Sequence, residues 1–161
     1  MQVIQLKAGQ SKNFSVGRSQ ISRAPGRQVS IELSGPIEAK VTGSQVVPGS
    51  QVDLVGDVQE VNSTSVLVSA TVTARWIGEC TRCLEPAQGV MNVELRELFS
   101  ENRVSDDELT YRLDPEVVDM SDMVRDACIL ELPQVPLCST TCKGLCSECG
   151  ENLNFGRCGC S

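Results

Sequence analysis

Histidine is absent from this 161-residue sequence, and aromatic side chains make up only 3% of it. Without an imidazole, the usual general base at neutral pH and the commonest nitrogen ligand for a metal are both missing. No pair of carboxylates sits at a spacing that would replace it, so no catalytic base or nucleophile can be named and a non-enzymatic role is expected. Five aromatic residues are also few for a protein that would grip RNA by stacking bases. Apolar runs are short, the longest lying near Val66 to Val68 and Ile129 to Leu132, far below the roughly 20 residues that span a bilayer. The amino-terminal stretch MQVIQLKAGQSK alternates apolar and polar residues and has neither a signal-peptide core nor a small-residue cleavage site. A soluble, cytosolic protein follows as the expectation, with neither a membrane nor a small-molecule substrate among its partners.

Acidic residues are missing from residues 1–31, where Lys7, Lys12, Arg18, Arg23 and Arg27 give a local charge of +5 against −7 for the chain as a whole. The opposite imbalance appears later. Ten acids between Glu101 and Glu131 face only Arg103, Arg112 and Arg125. Such a protein does not coat itself in phosphate. RNA contact, if made, is expected from Arg18, Arg23 and Arg27, while the acidic stretch around Asp106, Asp107 and Glu108 suits a basic partner. Either run also has the plainer reading of a solvated surface.

What the chain does have is apolar residues in 40% of positions, enough for a core, and a period-two pattern from Gln28 to about Phe99. Val66, Val68, Ala70, Val72, Ala74 and Trp76 share one face of a long strand. Val52, Leu54 and Val58 form its partner across a turn at Glu60 to Thr64, and Met91, Val93, Leu95 and Phe99 form a third strand after a turn near Glu85 to Gly89. The expected fold is α+β but mainly β: an antiparallel sheet or open barrel-like meander with one helix and a cysteine-rich, zinc-binding C-terminal segment. Residues 101 to 119 read as an irregular acidic loop. The helix follows, with Ser121 as its N-cap, Met120, Met123, Val124, Ala127 and Leu130 at helical spacing, and Pro133 as its stop. The division expected is a basic arm or edge segment at 1–27, a β-rich domain with the acidic loop and helix at 28–137, and a cysteine-rich tail at 138–161.

Cysteine is the abundant reactive residue, with nine in all and six between residues 138 and 160. In a reducing compartment such density points to metal rather than disulfides. Eight fall into four close pairs, Cys80/Cys83, Cys138/Cys142, Cys146/Cys149 and Cys158/Cys160, enough for two four-ligand sites. C-x-x-C lets one tight turn present two sulfurs to one ion, and Gly150 after Cys149 completes the knuckle signature that Leu84 after Cys83 lacks. Arg82 and Lys143, beside ligands, can offset thiolate charge. Chain geometry favours Cys146, Cys149, Cys158 and Cys160 as one site, closing 15 residues, with Cys80, Cys83, Cys138 and Cys142 as the other. The competing grouping joins Cys138, Cys142, Cys146 and Cys149. Two zinc ions are expected, with mononuclear iron, an iron–sulfur cluster or a thiol redox switch as alternatives. Cys128, on the apolar helix face, reads as a buried structural thiol.

Three stretches together, CTRCL, DMSDMVRDACILELPQVPLC and CKGLCSECGENLNFGRCGC, span about residues 75 to 160. In that order they resemble the YceD family, the large ribosomal RNA subunit accumulation proteins of bacteria and plastids. The resemblance implies a non-catalytic ribosome biogenesis factor in bacterial cytoplasm or plastid stroma, acting in processing or accumulation of 23S rRNA. It also implies partnership with a ribosomal precursor through basic ribosomal proteins or rRNA. Composition leaves two other readings open: a redox-sensitive zinc chaperone or sensor, and a direct nucleic-acid-binding zinc protein.

Overall fold

A computed structural model describes residues 3–5, 13–102 and 110–160. Its strands are β1 (Val3–Gln5), β2 (Ser15–Gly17), β3 (Gln28–Pro36), β4 (Ser44–Val46), β5 (Gln51–Asn62), β6 (Ser65–Glu79), β7 (Pro86–Ser100), β8 (Tyr111–Arg112) and β9 (Val117–Asp119); its helices are α1 (Arg18–Arg23) and α2 (Ser121–Glu131). The three period-two runs are β5, β6 and β7, paired antiparallel in sequence order as a meander. They belong to a seven-stranded sheet ordered β1-β3-β5-β6-β7-β8, with β4 pairing the far end of β6, and the sheet does not close into a barrel. Both edge strands, β1 and β8, run parallel to their neighbours and make the sheet mixed. β2 and β9 form a separate antiparallel pair.

Alternation sorts the two faces. Val29, Ile31 and Leu33 of β3, Val52, Leu54 and Val58 of β5, Val66, Val68 and Val72 of β6, and Met91 and Phe99 of β7 all point inward and are buried together. At about 1.5–3 kcal/mol for each fully buried side chain of this size, this face dominates the folding free energy. The opposite face is tied by polar pairs across strands, with Ser30 donating to Asp57 and Ser34 to Asp53, each at 2.7 Å, and Thr73 to Asn92 at 2.9 Å. The apolar face is capped by α2, through Met123, Val124, Ala127 and Cys128, and by Phe14, Val16 and Ile21.

Phe14, Val16 and Ile21 lie in the segment expected as a basic arm or edge, and all three are buried in the main core. The acidic stretch is also less irregular than expected. β8 and β9 interrupt it, because Tyr111 stacks on Phe99 with ring centroids 5.2 Å apart and Val118 is fully buried, so each short strand is fixed by one apolar anchor. Asp106, Asp107 and Glu108 lie outside the described residues.

Two expectations about α2 need correction. Met120, not Ser121, occupies the cap position, and the Asp119 carboxylate accepts from the Ser121 amide at 3.1 Å and its hydroxyl at 2.7 Å, a local turn that launches the helix. Leu130 is 85% exposed. The whole last turn, Ile129 to Glu131, is exposed, and burial resumes only at Leu132, whose amide closes the helix on the Cys128 carbonyl at 3.0 Å. Pro133 follows and ends the helix, as its missing N–H requires.

Candidate metal centres

The β6–β7 hairpin turns through Cys80 to Glu85, and the turn is a closed knuckle. The Leu84 amide donates to the Cys80 carbonyl and the Cys80 amide to the Glu85 carbonyl, both at 2.8 Å. Residues 146–151 repeat it: the Gly150 amide meets the Cys146 carbonyl at 2.9 Å and the Cys146 amide meets the Glu151 carbonyl at 2.8 Å. The residue after the second cysteine needs a left-handed backbone in both. Gly150 adopts it at φ 77°, and Leu84 adopts it at φ 63°, a conformation unfavourable for a side chain with a Cβ. The hairpin knuckle therefore has the same geometry as its glycine-bearing counterpart despite the leucine.

The second pair of sulfurs for the hairpin arrives from residues 133–142. Ser44 donates to the Pro133 carbonyl at 2.8 Å, and the Thr81 amide reaches the Pro136 carbonyl at 3.0 Å, so the proline segment, bent at Gln134 and Val135, lies against β4 and the hairpin tip. Its slot is cut by two glycines. A Cβ on Gly43 would meet the Gln134 carbonyl oxygen and Pro136 Cδ at 2.8 Å, and one on Gly78 would meet the Gly43 carbonyl oxygen at 2.5 Å. Beyond the slot, the Leu145 amide bonds the Arg82 carbonyl at 3.1 Å, and the Arg82 guanidinium donates to the Cys142 carbonyl at 3.1 Å. Arg82 thus serves as a strut across the knuckle.

Two sulfur tetrads result. Cys80, Cys83, Cys138 and Cys142 converge, as do Cys146, Cys149, Cys158 and Cys160, with the sulfurs of each group within 4.8 Å of one another. The structure does not form the competing grouping of Cys138, Cys142, Cys146 and Cys149. Individual Sγ–Sγ distances are 3.8 Å for Cys80–Cys142, 3.5 Å for Cys83–Cys138 and 3.4 Å for Cys146–Cys158. A disulfide needs about 2.05 Å. Four sulfurs each about 2.3 Å from one ion would stand about 3.8 Å apart, so both tetrads are compatible with a tetrahedral metal site.

Charge leads to the same chemistry. Burial works against ionisation of Cys80, but the amides of Cys138, Arg82 and Cys83 outweigh it and lower its pKa to about 6. Cys146 falls to about 6 under the amides of Cys149 and Glu148 and the Cys158 thiol. Their neighbours move the other way. The Glu85 amide favours the Cys83 thiolate, yet burial and the crowding of Cys138, Cys80 and Cys142 push the thiol up to about 12. Cys149 is likewise raised: the Glu151 amide is outweighed by Cys160, Cys146 and burial. Sulfurs this close cannot all ionise on their own, and a divalent cation is what would let them.

Burial distinguishes the two sites. Cys80, Cys83 and Cys142 are buried and only Cys138 is exposed, whereas Cys149 and Cys160 are exposed and Cys146 and Cys158 are half-buried. Cys128 stands apart, fully buried in the main core with its thiol pushed up to about 11 by burial. The basic residues expected to face RNA are partly committed. Arg18 pairs with Glu101 and donates to the Ser63 carbonyl at 2.7 Å and the Pro115 carbonyl at 3.3 Å, fastening α1 to two loops. Arg27 pairs with Glu60 at 3.2 Å, and Arg23 is exposed. Sequence reasoning missed Asn152 and Asn154, which hold the tail together. The Asn154 amide group donates to Cys142 Sγ at 3.4 Å while its oxygen accepts from the Lys143 amide at 2.8 Å. Their signal was the Asn-Leu-Asn spacing between the cysteine pairs.

Fold and site together define a class: an open β-sheet protein whose hairpin tip and C-terminal tail assemble two metal-competent cysteine tetrads. The family described as large ribosomal RNA subunit accumulation protein YceD matches residues 68–161, and the chain belongs to that family. It is 35% identical over 147 residues to an uncharacterized protein of Mycobacterium tuberculosis, covering 87% of this chain and 70% of that one. An uncharacterized Mycobacterium leprae protein is 35% identical over 141 residues, 83% of this chain and 64% of its own. A chloroplastic Arabidopsis thaliana protein named large ribosomal RNA subunit accumulation protein YCED homolog 1 is 36% identical over 55 residues, 34% of this chain and 17% of that one. No solved structure matches. The family's description ties it to the large ribosomal RNA and names accumulation rather than a reaction. Among the described residues no helix is long and apolar enough to cross a membrane.

Proposed function

We propose that this protein is a non-catalytic biogenesis factor of the large ribosomal subunit that promotes processing or accumulation of 23S rRNA, with two cysteine-ligated structural zinc ions. Cys80, Cys83, Cys138 and Cys142 hold one ion; Cys146, Cys149, Cys158 and Cys160 hold the other. The observation that carries the reading is the position of the tetrads within the part of the chain that matches the rRNA accumulation family. All-sulfur sites with no open ligand position suit structural zinc, which would fasten the tail, residues 138–161, to the sheet of residues 28–137. The protein would work in bacterial cytoplasm or plastid stroma and meet a ribosomal precursor through basic ribosomal proteins or rRNA. Among the described basic residues of that segment, exposed Arg23 is the best placed for a phosphate, since Arg18 and Arg27 are already paired. Crosslinking of the tagged protein in cells, with identification of the attached RNA and proteins, tests it. Recovery of 23S precursors or large-subunit proteins supports the reading, and recovery of no ribosomal component would sink it.

The exposure of Cys149 and Cys160 supports a second reading, a redox-sensitive zinc chaperone or sensor. Peroxide would then release one zinc ion and create new binding activity for unfolded clients. Zinc release with no such activity excludes it.

A further inference from the structure

The loop enclosed by the C-terminal tetrad does more than connect its own ligands. Between Cys149 and Cys158, Asn152 bridges antiparallel to Leu145, and the Leu153 amide bonds the Gly144 carbonyl at 2.9 Å. This lays the loop against the segment that carries Cys142. Asn152 also donates to Glu85, in the hairpin knuckle, at 3.4 Å. Its own side-chain oxygen accepts from the Asn154 amide group at 2.8 Å and from the Asn154 backbone at 3.0 Å, which fixes the Asn154 rotamer. Held this way, Asn154 donates from Nδ2 to Cys142 Sγ and accepts at Oδ1 from the Lys143 amide. A donor aimed at a ligand sulfur is what orients a thiolate and tempers its charge, and groups in that role typically govern metal affinity by 10- to 100-fold.

Among the described residues, the side-chain amide bond to a ligand sulfur runs one way, although the Arg82 carbonyl and the Glu85 carboxylate of the hairpin also hold Leu145 and Asn152 of the tail. The first tetrad has three buried sulfurs backed by the sheet, and it borrows one hydrogen bond from the second tetrad's loop. The second tetrad draws all four ligands from residues 146–160 and presents two of them to solvent.

Resting on the metal-site reading above, we infer that Asn154 is a positioning residue linking the two centres. Metal leaves in a fixed order, first from Cys146, Cys149, Cys158 and Cys160. The freed loop then withdraws Asn154 from Cys142 and loosens the metal on the hairpin.

The molecule carries its own reporter. Trp76, the one tryptophan of the chain, packs against the cluster of Cys80, Cys83, Ala87 and Cys142. The full chain, loaded with two zinc ions, is exposed to excess EDTA while native mass spectrometry counts the ions and Trp76 fluorescence follows the first tetrad. The expected course is one ion lost with little fluorescence change, then the second lost together with a fluorescence change. Asn154→Asp is close to isosteric and keeps the acceptor for Lys143, but it removes the donor to Cys142 and Asn152 and sets a carboxylate beside the sulfur, so Asn154→Ala serves as the uncharged control. The Asn154→Asp change is expected to speed loss of the hairpin ion from the doubly loaded protein about tenfold or more, up to the wild-type second-phase rate, so that the fluorescence change starts without waiting for the tail ion, and Asn154→Ala should do the same. The double variant Cys158→Ser with Cys160→Ser should keep one ion and lose it at the rate of the wild-type second phase or faster.

If both Asn154 variants, like wild type, hold the hairpin ion until the tail ion has left, the link is overturned. Loss of the tryptophan-reporting ion first from wild type would overturn it too, as would a single concerted loss of both. A chain that takes up no zinc at all would overturn the metal-site reading beneath it, an outcome distinct from each of these.

Discussion

Leu84 and Gly150 occupy the same place in the two knuckles, with φ 63° and 77°, and only one of them is suited to it. A left-handed residue with a Cβ costs roughly 1–2 kcal/mol, part of which glycine returns in unfolded-state entropy. Leu84→Gly, at a side chain 59% exposed, is therefore expected to stabilise the metal-loaded protein by about 0.5–1 kcal/mol in urea unfolding. Leu84→Val, β-branched, should destabilise it. The sequence marked Leu84 as the flaw in the motif, but side-chain identity reported a preference while the neighbouring hydrogen bonds dictated the conformation. Cys128 was legible in full, because helical spacing alone put it on the buried face. Its raised pKa has a consequence with a definite sign. A folded-state pKa moved from 9.0 up to about 11 stabilises the protein below pH 9, and that contribution fades as pH climbs from about 9 towards 11. Cys80 and Cys146, lowered to about 6, act oppositely in the metal-free chain, their contribution being present above pH 9 and lost as pH falls towards 6. Replacing Cys128 by valine should flatten the alkaline decline in a series of urea midpoints and leave the neutral-to-acid limb unchanged; an unaltered alkaline limb would contradict the assignment.

At the scale of elements, the long strands announced themselves through period two, since β5, β6 and β7 each bury one face and wet the other over 12 to 15 residues. α1, β8 and β9 did not, having six residues or fewer, too short to establish any period. They exist because tertiary anchors such as Ile21, Tyr111 and Val118 hold them. The proline segment after α2 was expected to run extended and instead bends at Gln134 and Val135, and its seat was invisible, because Gly43 and Gly78 lie 50 or more residues upstream of it in the chain. That seat gives a test. Gly78→Ala places a Cβ 2.5 Å from the Gly43 carbonyl oxygen and against Pro136, where overpacking costs typically about 1–3 kcal/mol. The expected result is lower stability and faster zinc loss from the first tetrad with the second tetrad unaffected, read by native mass spectrometry. Slower or unchanged loss would mean that the proline segment does not position Cys138 and Cys142.

Among the described residues the molecule has two apolar centres, the large sheet core and a small cluster of Cys80, Cys83, Ala87 and Cys142, which share Trp76 at their boundary. Stripping the metals should therefore leave the sheet folded and release the tail. Far-UV circular dichroism should keep its β signature after chelation, while limited proteolysis should begin to cut within residues 138–161. Charge patterning forecast a protein ill suited to broad phosphate binding, and the pairing of Arg18 with Glu101 and of Arg27 with Glu60 turns much of the basic segment to structural use. The pairing of the cysteines could be ranked from loop lengths, but it took three-dimensional convergence across more than 50 residues to bring Cys80 and Cys83 to Cys138 and Cys142. The most direct test of this arrangement is zinc stoichiometry of the intact chain by native mass spectrometry, for wild type, Cys80→Ser with Cys83→Ser, and Cys158→Ser with Cys160→Ser. Two ions in wild type and one in each double variant is the expected result; two ions retained in either variant, or fewer than two in wild type, would contradict it.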